Sequence, residues 1–158
     1  MNKSIKDIVN ELLVDIFDDI LAIEQTALKS GKLSDLTVTE IHTIETIGMY
    51  VPRTMSEVAA DLDITVGTLT TAINNLVKKG YVERKRDDKD RRVVKITLTK
   101  RGKLAYRVHE KFHSDMVKAT IKGLSEEEEK LLACALAKLN EFFRSEYNIK
   151  NDKKREKE

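Results

Sequence analysis

Residues 54–102 read TMSEVAADLDITVGTLTTAINNLVKKGYVERKRDDKDRRVVKITLTKRG, and the architecture is most legible in this stretch. Its first half has the period of two short helices joined by a turn. From Tyr81 onward, apolar and polar residues alternate on either side of a basic tip, as in a two-stranded hairpin. A helix–turn–helix followed by such a wing places one helix in a DNA major groove and a cationic loop beside it. The fold expected is mainly α with a small β-wing: a winged helix–turn–helix flanked by long N- and C-terminal dimerisation helices.

The boundaries follow from capping chemistry. Thr54-x-x-Glu57 is a capping box opening a short helix to Leu62, and Thr65 caps the next helix, which Gly80 closes. Upstream, Thr37-x-x-Glu40 starts a helix through about Tyr50, ended by Pro52. Downstream, Thr99 caps a long helix to about Lys122, stopped at Gly123, and Ser125-x-x-Glu128 opens the last. Before all of these, Ile5, Ile8, Leu12, Ile16, Ile20 and Ile23 recur at helical spacing with Val9, Leu13 and Phe17 beside them, until Gly31. That stripe is wider than one core-facing helix needs, which points to contact with a second copy. Residues 1–147 therefore read as one unit, with dimerisation helices at about 4–30 and 104–147 and the winged helix–turn–helix at about 37–102. Residues 148–158 are almost wholly charged and are expected to fray.

Charge supports the nucleic-acid reading. The 158 residues carry a formal net charge of only +2, but residues 78–103 hold 12 Lys/Arg against 4 Asp/Glu, and residues 1–77 hold 5 against 12. Basic charge concentrated on the wing and its flanks is what a phosphate footprint requires. Cys134 is the single cysteine, so no disulfide forms within the chain. No apolar run approaches the ~20 residues of a membrane helix, and the start, MNKSIKDIVNELL, lacks a signal-peptide layout. A soluble cytoplasmic protein, away from the membrane, is expected. No Gly-rich phosphate loop, nucleophile elbow or paired-carboxylate cleft is present, so an enzyme is not expected.

On the helix after Thr65, Val66, Leu69, Ile73, Leu76 and Val77 share the inward face. Thr68, Thr71, Asn75 and Lys78 lie opposite, flanked by Gly67 and Asn74. Small hydroxyls and amides suit base edges or phosphate, and Gly67 lets a backbone approach closely. Thr65 reads either as a pure cap or as a phosphate contact. In the wing, Val94, Ile96 and Leu98 alternate inward, with Lys95 and Thr97 outward. The tip runs Asp87-Asp88-Lys89-Asp90-Arg91-Arg92. Arginine there suits the negative potential of a narrow minor groove, and Asp90 can hold a guanidinium by a bidentate pair. The acidic residues do not make a calcium loop, since the glycine and distant glutamate are missing.

These residues resemble the MarR family of dimeric winged-helix repressors over roughly residues 5–147. The signature runs from Leu76 to Gly102: a leucine and basic pair before Gly80-Tyr81-Val82, then Arg86, the Asp90-Arg91-Arg92 tip, and Leu98-Thr99 before Gly102. The resemblance implies a homodimer on a pseudo-palindromic double-stranded DNA operator. Thr65, Gly67, Thr68, Thr71, Asn74, Asn75 and Lys78 would then work the major groove and Arg91 and Arg92 the wing. Arg92 becomes the minor-groove reader and Asp90 its orienter.

Within the family, Glu40-Ile41-His42-Thr43-Ile44, VGTLTTAINNLVKKGYVER at 66–84, LAYRVHEKFHSDM at 104–116 and GLSEEEE at 123–129 resemble the repressors of bacterial fatty-acid synthesis. That likeness implies long-chain acyl groups on acyl carrier protein as corepressor, with no other cofactor required. An apolar tunnel would be lined by Leu13, Phe17, Ile20, Ile44, Met49, Val108, Phe112 and Met116, the alternative being that these residues pack the core. A second resemblance, to a zinc-uptake repressor of the family, would make Glu24, His42, His109 and His113 a tetrahedral zinc set. The spacing of His109 and His113 fits this, and the alternative is local hydrogen bonding. The peroxide-sensing relatives carry a reactive cysteine in the first helix, which this chain lacks. Cys134, amid apolar neighbours of the last helix, reads as a buried, inert thiol.

Overall fold

The computed structural model describes residues 3–148, so that the expected fraying tail lies, apart from Asn148, outside the described residues. In chain order the elements are α1 (Ile5–Ser30), α2 (Val38–Ile47), β1 (Arg53–Thr54), α3 (Met55–Asp61), α4 (Val66–Lys78), β2 (Val82–Arg86), β3 (Val94–Leu98), α5 (Lys100–Ile121) and α6 (Glu126–Glu146). The chain divides after Ala105 into two compact units. No described helix is long and apolar enough to cross a membrane.

The helix starts follow the capping residues. At Thr54 the hydroxyl accepts from the Glu57 amide at 3.2 Å, and the Glu57 carboxylate accepts from the Thr54 amide at 2.8 Å. That amide, then the Thr54 hydroxyl, holds the Glu57 carboxyl below its ordinary range. Reciprocal boxes also form at Thr37–Glu40 and Ser125–Glu128. A fourth, Ser4–Asp7, escapes the Glu/Gln pattern because aspartate takes the third position.

The end of one helix and the extent of the sheet differ from expectation. Helix α2 ends at Ile47 rather than near Tyr50, because Gly48 adopts φ 75°, which turns the chain before Pro52 is reached. Gly31 closes α1 as expected, in extended backbone. The wing belongs to a three-stranded antiparallel sheet of order β1-β3-β2, with Arg53 opposite Ile96. A two-residue strand is too short to show alternation in sequence. Its Arg53 guanidinium donates to the Thr46 carbonyl at 2.7 Å and pairs with Asp61, which ties β1 to α2 and α3.

The core of the first unit gathers Ile41, Ile44 and Ile47 of α2, Val58 of α3, Leu69, Ile73 and Leu76 of α4, and Tyr81, Ile96 and Leu98 of the hairpin. Periodicity places Val66, Val77 and Val94 among them, and they are exposed instead. Val66 and Val77 lie on the end turns of α4, where its stripe runs past the body. Val94 pairs with Arg86 at the far end of the hairpin, beyond the helices.

A polar cluster seals the base of the wing. The buried Tyr81 hydroxyl donates to Asp35 at 2.6 Å, and the Arg101 guanidinium sits 4.3 Å over the Tyr81 ring. Arg101 also pairs with Asp35 at 3.0 Å and donates to the Lys79 carbonyl at 2.6 Å. The Lys79 ammonium reaches Glu40 at 2.8 Å. The end of α4, the start of β2 and the first turn of α5 are thereby fastened to the chain before α2.

In the second unit, α6 buries none of its residues, and Leu131, Leu136, Phe142 and Phe143 are exposed. Cys134 is therefore exposed, not buried as its apolar neighbours suggest. An apolar stripe shields a thiol only where something covers it.

Candidate nucleic-acid interface

Helix α4 begins where the Thr65 hydroxyl accepts from the Thr68 amide at 3.1 Å. The same hydroxyl lies 2.9 Å from that of Thr68, so the capping role of Thr65 is realised in the fold. Leu69, Ile73 and Leu76 are fully buried, which turns Gly67, Thr68, Thr71, Asn74, Asn75 and Lys78 outward, all exposed. A Cβ at Gly67 would meet only the Thr65 hydroxyl, at 3.7 Å. The protein's own packing does not need glycine there, and the free surface suits close approach of another backbone.

Hairpin register sets the wing. Val82 faces Leu98 and Arg86 faces Val94, and between them Lys85 stands opposite Lys95. Two like charges directly opposed are unfavourable. Each has its own carboxylate, Glu83 at 3.0 Å from Lys85 and Asp87 against Lys95. Lys95 first, then the Lys89 and Asp90 amides, pull the Asp87 carboxyl down to about 2. Those amides donate to Asp87 at 2.8 and 3.2 Å, folding the tip into a tight turn.

Beyond that turn, Asp90 accepts from Arg92 three times. The Arg92 amide donates at 3.0 Å, Nε at 3.1 Å and Nη2 at 3.2 Å. These bonds, the side-chain ones first, hold the Asp90 carboxyl below its ordinary range. The guanidinium is aimed yet 91% exposed, and Arg91 beside it is exposed as well. A polar helix face and an oriented arginine, carried on the same compact unit, form an arrangement able to engage two grooves of a duplex.

Arg84 of β2 donates from Nη2 to Asn74 Oδ1 of α4 at 2.7 Å, joining wing and helix. Nothing local marks Arg84 in sequence, since a charged residue on a strand reads as solvated; only the register against α4 singles it out.

A family profile described as the MarR family matches residues 34–93. FabT of Streptococcus pneumoniae, solved in complex with DNA, is 42% identical, with a TM-score of 0.83, over 89% of this chain and 98% of FabT. The chain belongs to the MarR family. It is a DNA-binding transcriptional regulator of that family, not an enzyme. Among curated relatives, the HTH-type regulator YwhA of Bacillus subtilis is 30% identical over 86 residues, 54% of this chain and 62% of YwhA. BilQ of Clostridium symbiosum is 33% identical over 84 residues, 52% of this chain and 58% of BilQ. The chain thus spans about three fifths of these curated relatives. MepR of Staphylococcus aureus, 22% identical with a TM-score of 0.71 over 85% of this chain and 97% of MepR, shares the fold.

The other residues singled out in sequence divide between the two units. In the first, Leu13, Phe17 and Ile20 are exposed on α1 and Ile44 is wholly buried. Met49 lines a small cleft with Pro52, Lys85, Leu98 and Lys103. In the second, Val108 is exposed while Phe112 and Met116 are half-buried along α5. Of the histidines, His42 Nε2 lies 2.9 Å from Oε1 of the buried Glu24 in the first unit. In the second, the His109 and His113 rings meet edge to face with centroids 4.5 Å apart. The likenesses to MarR-family proteins do not favour the zinc-responsive reading of these residues.

Proposed function

We propose that this MarR-family regulator is a homodimeric repressor of fatty-acid synthesis genes that uses long-chain acyl-acyl carrier protein as corepressor. The observation that carries this is the 42% identity to FabT across nearly the whole of both chains. The sequence blocks at 40–44, 66–84, 104–116 and 123–129 support it independently of the fold. Dimerisation is supported by α1, on which Ile5, Leu12, Ile16 and Phe17 are more than half exposed. Apolar side chains in such a row mark a surface that a partner covers. Two-fold pairing would set two α4 helices about one helical turn of DNA apart.

The groove assignments give a first test. Arg92→Ala should weaken operator binding by about 1–3 kcal/mol in fluorescence anisotropy. Asp90→Ala should weaken it less, because the guanidinium remains but is no longer aimed. Binding by Arg92→Ala equal to that of the unaltered protein would take the wing out of the mechanism.

Corepression is tested by a DNA-shift titration with purified acyl carrier protein, acylated and unacylated. The acylated form should tighten binding, and the effect should shrink as salt rises, since acyl carrier protein is acidic. Equal action of both forms would reject the acyl chain as the signal.

A further inference from the structure

The Arg84–Asn74 contact has a consequence for what the helix can read. Asn74 is exposed on α4, among the side chains turned away from the core. Its carboxamide offers one acceptor oxygen and two N–H donors, whereas a guanidinium offers donors only. The oxygen must therefore be the atom that faces Arg84, at 2.7 Å, whichever way the amide is first drawn. The strand supports this geometry. Arg84 is directly opposite Ile96, and directly opposed residues of an antiparallel pair share a face. Ile96 is fully buried, so Arg84 stands on the sheet face that covers the core, toward α4. Because β2 is an edge strand, the arginine escapes burial and reaches the rim of the helix.

We propose that Arg84 is a positioning residue that fixes the reading edge of Asn74, so that α4 offers a donor rather than a donor–acceptor pair at that point. Adenine is read by asparagine through both atoms, the oxygen accepting from N6 and the nitrogen donating to N7. With the oxygen turned to Arg84, the outward group is the NH2. It suits an acceptor edge: guanine O6 or N7, or thymine O4. In water an exposed pair of this kind contributes little. Under a bound duplex, water is excluded and the charge-assisted bond strengthens, so the pair acts as preorganisation for the complex.

This inference rests on the reading of α4 as the recognition helix, and the experiment separates the two. Duplexes with a randomised half-site are selected on the full chain and sequenced, and affinities for the preferred duplex and its single-base variants are then measured. The variants are Asn74→Ala, Arg84→Ala, Arg84→Lys, Thr71→Ala and Asn75→Ala, each checked for an unchanged melting temperature. Asn74→Ala should flatten one position per half-site, with about a tenfold loss for the preferred base. Arg84→Ala should change the preference at that same position, raising adenine about fivefold or more relative to guanine or thymine, and Arg84→Lys should restore part of it.

A uniform loss across all sequences, with the salt slope reduced by about 1, would make Arg84 a phosphate contact and overturn the proposal. Unchanged profiles for both Asn74→Ala and Arg84→Ala would overturn it too, provided Thr71→Ala or Asn75→Ala alters some position. If none of the α4 variants alters any position, the recognition-helix reading falls, and this inference with it.

Discussion

Gly102→Ala should destabilise the first unit by about 3 kcal/mol or more, although alanine is the better helix former by about 1 kcal/mol. The position lies in the first turn of α5, and its difficulty is space rather than torsion. A Cβ there would stand 2.1 Å from the Tyr81 carbonyl oxygen and 3.1 Å from Leu98 Cβ. The oxygen cannot swing aside freely, because it accepts from the Thr99 amide at 3.0 Å. The Thr99 hydroxyl in turn donates to the Gly80 carbonyl at 2.6 Å and accepts from the Gly102 amide at 3.1 Å. Helix α5 must therefore lift from β2 or the capping bonds must break. For a chain of this size the melting temperature should fall by roughly 10 °C, followed by circular dichroism. Gly123→Ala is the contrast, since nothing lies within 4 Å of its Cβ position, and it should change stability by less than about 0.5 kcal/mol. Equal melting of Gly102→Ala and the unaltered chain would refute the close approach.

The second large effect is expected at Tyr81. Tyr81→Ala removes a fully buried aromatic side chain and should cost about 3–5 kcal/mol. Tyr81→Phe keeps the ring beneath Arg101 and removes only the donor to Asp35, so about 1–2 kcal/mol is expected. Alkaline stability separates the hydroxyl from the ring. Burial first, then the hydrogen bond to Asp35, pushes the Tyr81 hydroxyl from 10.0 up to about 12. The raised value means the folded chain holds this proton after the unfolded chain has lost it. Its contribution is full below about pH 10 and declines as pH rises toward about 12. Denaturant unfolding across that window should show a steeper loss for the unaltered chain than for Tyr81→Phe. Parallel curves would show that folding does not hold the Tyr81 proton above its ordinary range.

Much of this molecule is legible in sequence because its signals are local. Capping boxes at Thr37, Thr54 and Ser125 act over three residues, and the buried faces of α4 and β3 follow from helical and strand periods. The outward set from Gly67 to Lys78 follows once Leu69, Ile73 and Leu76 are turned inward. The Asp90–Arg92 pair is equally local, two residues apart; spacing and charge offer Asp90 a neighbouring guanidinium, and the family resemblance singles out Arg92. Errors arise where a periodic rule is carried past the end of the body it packs against. Val66, Val77 and Val94 obey the apolar period, yet lie at element ends where they are only partly covered. Cys134 shows the same limit: apolar neighbours describe a stripe, not its cover.

Local signals along the chain set the order of helices and wing, the face of α4 turned to the surface, and the basic tip with a carboxylate beside it. Each depends on contacts within a few residues, where backbone geometry leaves little choice. Long-range packing is what lets Arg53 add a third strand, closes Asp35 and Arg101 on Tyr81, sets Gly102 under a carbonyl and brings Arg84 to the oxygen of Asn74. These partners are 10 to 66 residues apart along the chain. Only packing of the whole unit, through burial and strand register, brings them within hydrogen-bonding distance.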